Sequence, residues 1–165
     1  MEPIFTETST YKNKQYKSEL FIDNNYNKIA PITQVHAICF IDEDTVIFQE
    51  FKDGTLGNLG GGFEKDEGIE DVLKRELIEE GQLELVSWKA FGYEKISRLD
   101  KPNQYDYFLR TVARVKLINK PINDPCGKSI GRVIVPYINA TERLGWKRKG
   151  ELLLEYAKKT YSKLT

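Results

Sequence analysis

The sequence predicts an α/β sandwich with a central mixed sheet. Three observations carry this. Strand-like apolar segments recur at 32–41, 45–51, 83–96, 104–117 and 129–136, bounded by turn residues. Helical patterns at 67–80 and 150–163 lie between and after them, so the two element types interleave. The chain has 165 residues, 40% hydrophobic and 30% charged, with no internal repeat, which suits one domain with a real core.

Residues 1–30 are polar, rich in Lys, Tyr, Asn, Ser and Thr, and read as an N-terminal extension. Within it Tyr16–Ile22 suits an edge strand, and Asp23-Asn24-Asn25 a turn. The extension could cover a sheet edge or contribute to a homodimer. Residues 31–165 form the main domain. Pro31 opens a strand over Ile32–Ile41, Asp42-Glu43-Asp44 turns the chain, and Thr45–Phe51 returns as the second arm of a hairpin. Five glycines then fall within nine residues, 54–62. They read as a glycine-rich turn able to bend sharply and approach a ligand closely.

The helix that follows, Glu67–Glu80, takes Asp66 as N-cap and Gly81 as stop. Leu83–Ile96 is a strand pair or one long bent strand. Arg98–Asn103 is a polar loop and Gln104–Leu117 a long strand. Asn119–Gly127, with Pro121 and Pro125, is a loop leading to a strand over Ser129–Pro136. Thr141–Leu144 suggests a short helix. Gly150–Lys163 closes the chain as an amphipathic helix with Leu152, Leu153, Tyr156 and Ala157 inward.

Lys plus Arg equals Asp plus Glu, 25 each, which gives no strong sign of nucleic-acid binding. Cys39 and Cys126 are far apart and form no metal or redox spacing; both read as free thiols. The N-terminus lacks a signal-peptide pattern and no apolar run is long enough to span a membrane. The expectation is a cytoplasmic chain with no membrane partner.

The acidic helix carries the functional signal. At about 100° per residue, Ile69, Val72 and Leu73 form an apolar stripe, and Glu76, Glu79 and Glu80 continue the same stripe. Carboxylates three and four residues apart repel one another. They also occupy the last turns, where the helix dipole disfavours negative charge. A bound hard cation, Mg²⁺ or Mn²⁺, would remove these penalties. The bland alternative is a crowded, solvated helix end. Elsewhere, His36 reads as a hydrogen-bonded core residue, and Trp88, Phe91 and Tyr93 as core aromatics. Lys52, Lys95 and Arg98 fall near the predicted mouth and could meet phosphate.

From Gly61, five residues lead to Glu67, and seven more lead to Arg75-Glu76-Leu77-Ile78-Glu79-Glu80, then Gly81-Gln82-Leu83. This resembles the Nudix box, G-x5-E-x7-R-E-U-x-E-E-x-G-U with U apolar. Gln82 departs from it, standing where the family has glycine. Leu59 and Leu56 replace the proline and tryptophan that many members carry, and Asp66 replaces a common glycine. The surrounding elements extend the resemblance over roughly residues 32–160.

The resemblance implies a Nudix-type α/β/α sandwich and a role for each box residue. Glu76, Glu79 and Glu80 would bind Mg²⁺ or Mn²⁺, joined by a backbone carbonyl of Gly60 or Gly61. Arg75 would hold the acids in place, and Glu67 would tie the loop to the helix. Glu79 is the first choice as catalytic base, with Glu76 second; Glu94, Asp100, Asp106 and Asp124 are acids outside the box that could serve instead. Lys52 and Arg98 are candidates for substrate binding. The implied activity is metal-dependent hydrolysis of the pyrophosphate bond in a nucleoside diphosphate linked to another moiety: a nucleotide sugar, a dinucleotide or an NTP. The alternative is a catalytically silent Nudix-like module that binds a nucleotide-derived ligand or a protein partner.

Overall fold

The computed structural model describes residues 1–119 and 127–164. In chain order the elements are β1 (Phe5–Tyr11), β2 (Lys14–Phe21), β3 (Ile32–Asp42), β4 (Thr45–Phe51), β5 (Leu56–Gly57), β6 (Leu59–Gly62), α1 (Ile69–Gly81), β7 (Leu83–Arg98), β8 (Lys101–Leu117), β9 (Ser129–Pro136), α2 (Tyr137–Leu144) and α3 (Lys147–Tyr161). The strands form one mixed sheet in the order β1-β2-β7-β8-β3-β4-β5, with β6 beside β3 and β9 beside β4. β3 and β8 run parallel; the other described pairs run antiparallel.

β3 sets the layers through its alternation. Val35, Ala37 and Cys39 face α1 and pack with Val72, Leu73, Leu77 and Leu59. Ile38 and Phe40 face the other way and pack with Leu152, Leu153, Leu154 and Ala157 of α3. Opposite side chains on successive residues are what a strand buried on both faces requires. The result is the expected α/β/α sandwich. β3 also forks. One edge pairs with β8, but the other pairs with β6 over Gln34–Ala37 and with β4 over Cys39–Asp42. The divergence of β4 and β6 opens a cleft between them.

Several elements differ from expectation. The segment read as an edge strand is β2, an inner strand between β1 and β7. β1 escaped notice because only two of its seven residues are even half-buried, so no apolar alternation marks it. Only the start of the glycine run, at Gly54, is a turn; the rest lies in strands. Gly60 and Gly61 sit in β6 opposite His36 and Val35. β7 is one strand, bent at register shifts between Leu85 and Ser87 and between Ala90 and Gly92. It meets β8 through a two-residue turn at Leu99-Asp100, where a longer loop was expected. Cys39 is buried and unpaired, while Cys126 and Asp124 lie outside the described residues. No helix among the described residues is long and apolar enough to cross a membrane.

Candidate active site

α1 begins two residues later than its sequence suggests. Its N-cap is Gly68, whose N–H donates to Asp71 Oδ2 at 2.9 Å. Asp66, the expected cap, instead takes a left-handed conformation at φ 65° in the approach to the helix. Val72, Leu73 and Leu77 are fully buried against the sheet. Gly81 ends the helix against β6, and a Cβ there would collide with Leu59. The helix is thus pressed onto the strand that carries Gly60 and Gly61, and this contact fixes where its acids stand.

The far end of α1 stops at Gln82. Gln82 adopts φ 51° and ψ 50°, the left-handed cap usually given to glycine. Its N–H donates to Ile78 O at 3.1 Å. Arg132 of β9 reaches the helix end, with Nη1 donating to Gly81 O at 3.0 Å and Gln82 O at 2.8 Å. A guanidinium at a helix C-terminus satisfies orphan carbonyls and offsets the dipole that the glutamates worsen. No signal in the helix sequence announces Arg132, which lies fifty residues further along the chain.

Arg75 is the hub of the acidic face. It forks onto Glu67, with Nε 2.6 Å from Oε1 and Nη2 2.9 Å from Oε2. Nη1 donates to Glu76 Oε1 at 2.7 Å and lies 3.5 Å from Glu79 Oε2. Nη2 also reaches Gly62 O at 2.8 Å. Glu67 accepts the Glu64 N–H as well, at 2.7 Å, so it ties the loop to the helix. The fork holds the Glu67 carboxyl down at about 2. Glu80 takes a different partner: its Oε2 accepts the Gly60 N–H at 2.9 Å. Gly61 lies against Glu76, and a Cβ at that position would overlap its carboxylate.

These residues line a cleft of about 480 Å³. Gly60, Gly61, Gly62, Glu76, Glu79 and Glu80 form its acidic wall, with Arg75 and Glu64 beside them. Neutral lining comes from Gln49 and Phe51 of β4 and from Gln34 and His36 of β3, which pair directly with Gly62 and Gly60. Lys128 also lines the cleft. His36 is half-buried there, and its Nε2 lies 2.8 Å from Gln34 Oε1. Burial, reinforced by nearby Arg110, pushes the imidazole down to about 3, so it is neutral near pH 7.

Of the residues expected at the site, Glu76, Glu79, Glu80, Arg75, Gly60 and Gly61 come together, with Glu67 behind Arg75. Lys52 and Arg98 do not line the cleft. Lys52 follows β4 in a tight turn closed by Gly54 N–H to Phe51 O at 2.9 Å, which takes it past the cleft. Arg98 sits at the tip of the β7–β8 hairpin, paired with Asp100. Lys95 lies over the Tyr105 ring instead, 4.3 Å from its centroid. Glu94 is buried in an ion cluster with Arg110 and Lys149. The sequence reading assigned no role to Gln34 or Lys128, and Gln49-Glu50-Phe51-Lys52 carried only a loose resemblance to a strand end in ADP-ribose-cleaving relatives, too short to rank a substrate; only the fork of β3 brings β4 to the glycine strand.

The donor set suits a hard divalent cation. Among the described residues the cleft lining offers carboxylate oxygens and no sulfur. Among the described residues the acids do not gather around one point, because Glu76 is turned to Arg75 and Glu80 to Gly60. Carboxylates held by hydrogen bonds can exchange those partners for a cation by rotamer change alone.

Compared by sequence, the chain matches no family model and no curated protein. Compared by structure, it resembles several solved Nudix proteins. A variant of the Bacillus subtilis pyrophosphohydrolase BsRppH superimposes with TM-score 0.71 at 17% identity, covering 95% of this chain and 98% of that one. A MutT structure, from a study of the enzyme in Aliivibrio salmonicida and Vibrio cholerae, gives TM-score 0.55 at 18% identity, covering 78% of this chain and 98% of that one. A NUDIX hydrolase from Nitrosomonas europaea gives TM-score 0.61 at 14% identity, covering 79% and 90%. The chain therefore has the fold of the Nudix hydrolases.

Proposed function

We propose that this chain is a Nudix-type hydrolase, dependent on Mg²⁺ or Mn²⁺, that cleaves the phosphoanhydride bond of a nucleoside diphosphate joined to another group. The observation that carries this reading is the acidic wall. Glu76, Glu79 and Glu80 stand on one cleft with Gly60 and Gly61, at the spacing of the Nudix box and on the fold of Nudix hydrolases. Glu76, Glu79 and Glu80, with a carbonyl of Gly60 or Gly61, would hold the cation. Bound there, it would neutralise and orient the diphosphate.

The chain's own residues supply the rest. Glu79 has the weakest engagement with Arg75, at 3.5 Å against 2.7 Å for Glu76, so it can most readily turn to take a proton from attacking water. Arg75 and Glu67 keep the helix acids in register with the glycine strand. Gly61, without a Cβ, leaves Glu76 its place against the backbone. Lys128 at the cleft can meet an anionic substrate.

The test is hydrolysis of nucleotide sugars, dinucleotides and NTPs with Mg²⁺ or Mn²⁺, read as phosphate or nucleoside monophosphate release. Turnover that needs the metal supports the reading. Tight binding across the panel without turnover would replace it with the ligand-binding module.

A further inference from the structure

The acidic wall accounts for a diphosphate, but the neutral lining contributed by β4 has no part in that chemistry. We infer that Gln49 is a specificity residue whose Oε1 accepts an N–H from an amino group of the substrate's nucleobase. The inference rests on the nucleotide reading above and names which bases the cleft favours.

Gln49 lines the cleft, yet is only 5% exposed. Its Nε2 donates to Asn58 O at 2.7 Å. Only a nitrogen can donate to a carbonyl, so the orientation of the amide is fixed, and the oxygen is the remaining atom. That Oε1 is buried and has no hydrogen-bond partner among the described residues. An orphaned buried acceptor of this kind is costly, and a ligand donor would remove the cost.

The surroundings narrow the ligand. Phe51 lies two residues on, along the same face of β4, and its ring covers Gly57 so closely that a Cβ there would come within 2.7 Å of it. Gly57 thereby lets the ring lie beside Gln49 against β5. Gln34 and His36 add an amide and an imidazole to the lining, and Lys128, also in the lining, immediately precedes the β9 residue paired with Phe51. The ring and the amide groups suit a flat, hydrogen-bonding group. The cleft thus has a polyanion side and a heteroaromatic side, the two halves of a nucleotide. An acceptor oxygen welcomes an amino group and repels a carbonyl in the same place. Sites built around a buried hydrogen-bonding group discriminate strongly against analogues that leave it unpaired.

The experiment is equilibrium binding of AMP, GMP, CMP, IMP and UMP to the full chain with Mg²⁺, by calorimetry. IMP has a purine without an amino group, and UMP is the matching pyrimidine. At least one amino-bearing base should bind about tenfold or more tightly than its carbonyl counterpart. Gln49→Met, which keeps the length and removes the acceptor, should bring the paired affinities to within about twofold while IMP affinity changes little. Equal binding of all five by the wild-type chain overturns the inference, and so does discrimination that survives Gln49→Met. The wild-type comparison needs no variant to fold. Metal-dependent turnover of nucleoside diphosphate derivatives with no discrimination among the bases would overturn this inference and leave the hydrolase reading standing. Binding with base discrimination but no turnover would do the reverse.

Discussion

The molecule holds two arginine–glutamate clusters of opposite character. In the first, Arg75 meets Glu67, Glu76 and Glu79 at the edge of the cleft. In the second, Arg110 meets Glu94 at 2.6 Å, Lys149 meets Glu94 at 3.0 Å and Glu7 at 2.8 Å, and Ser18 donates to Glu94 at 2.6 Å. The closed cluster balances its charge: two acids, two cations, with Glu94 1% and Arg110 6% exposed. The open cluster does not. Glu64, Glu76, Glu79 and Glu80 line the cleft against Arg75 and Lys128. The same residue types therefore do two jobs. Balanced and largely buried, they join β1, β2, β7, β8 and α3 into one body; acid-rich and open to water, they form the wall proposed above to hold a cation.

The sharpest way to break this comparison is Glu94→Ala. Arg110 and Lys149 would lose their shared carboxylate, and a buried cation left without its partner costs about 3–5 kcal/mol. A urea midpoint should fall accordingly, with the slope little changed. If stability changes by less than about 1 kcal/mol, the closed cluster does not hold these elements together.

Glu79→Gln should have the opposite profile. The substitution removes a like charge near a helix C-terminus, so stability should hold or rise by a few tenths of a kcal/mol. Turnover of whichever diphosphate the panel identifies should fall about 100-fold or more, the usual contribution of a positioned base. Full activity in this variant would remove Glu79 from the chemistry and return attention to Glu76.

Gln82→Gly gives a smaller effect and bears on how much the sequence disclosed. A non-glycine residue at φ 51° carries strain of roughly 1 kcal/mol, so glycine should stabilise the chain by about that amount. Unchanged or lower stability would mean that Gln82 gains its place through side-chain contacts.

Glu76, Glu79 and Glu80 were legible because a helix has a fixed period and places residues at fixed offsets on one face; Arg75 and Glu67 were legible only through the resemblance to the Nudix box. β3, β4 and β9 were legible because they are apolar and bounded by turns. The helix end at Gln82 was not, because Arg132 caps it from a distant strand. Nor was the neutral lining. Gln49 reads locally as one polar residue in a buried strand, and its unpaired oxygen exists only once Asn58 takes its nitrogen. Local pattern identifies elements and same-face sets; partnerships across the sheet depend on register, which no local pattern states.

His36 joins the two regions and offers the subtlest test. It lines the open cleft, and on the sheet it stands opposite Arg110 of the closed cluster. Folding holds its imidazole near 3, while the unfolded chain titrates near 6.5. Between those values the unfolded state binds a proton that the folded state does not, so stability rises with pH. It should therefore fall as the pH drops below about 6.5, by up to about 1.4 kcal/mol per unit. The chain has a single histidine, so the slope between pH 6.5 and about 5 reports this residue. Glu94 acts lower: its folded carboxyl is held at about 2 by Arg110 and Lys149 against the opposing effect of burial. Its contribution is present above about 4.5, the ordinary carboxyl value, and is lost as the pH falls toward 2. Urea midpoints of the wild type and His36→Phe at pH 7, 6 and 5 separate the two effects. The variant should lose the slope between 6.5 and 5 and keep the steeper loss below 4.5. A wild-type midpoint that stays flat from pH 7 to 5 would mean that water reaches the ring as freely folded as unfolded, and that the neutral lining of the cleft is wetter than its packing against Phe108 indicates.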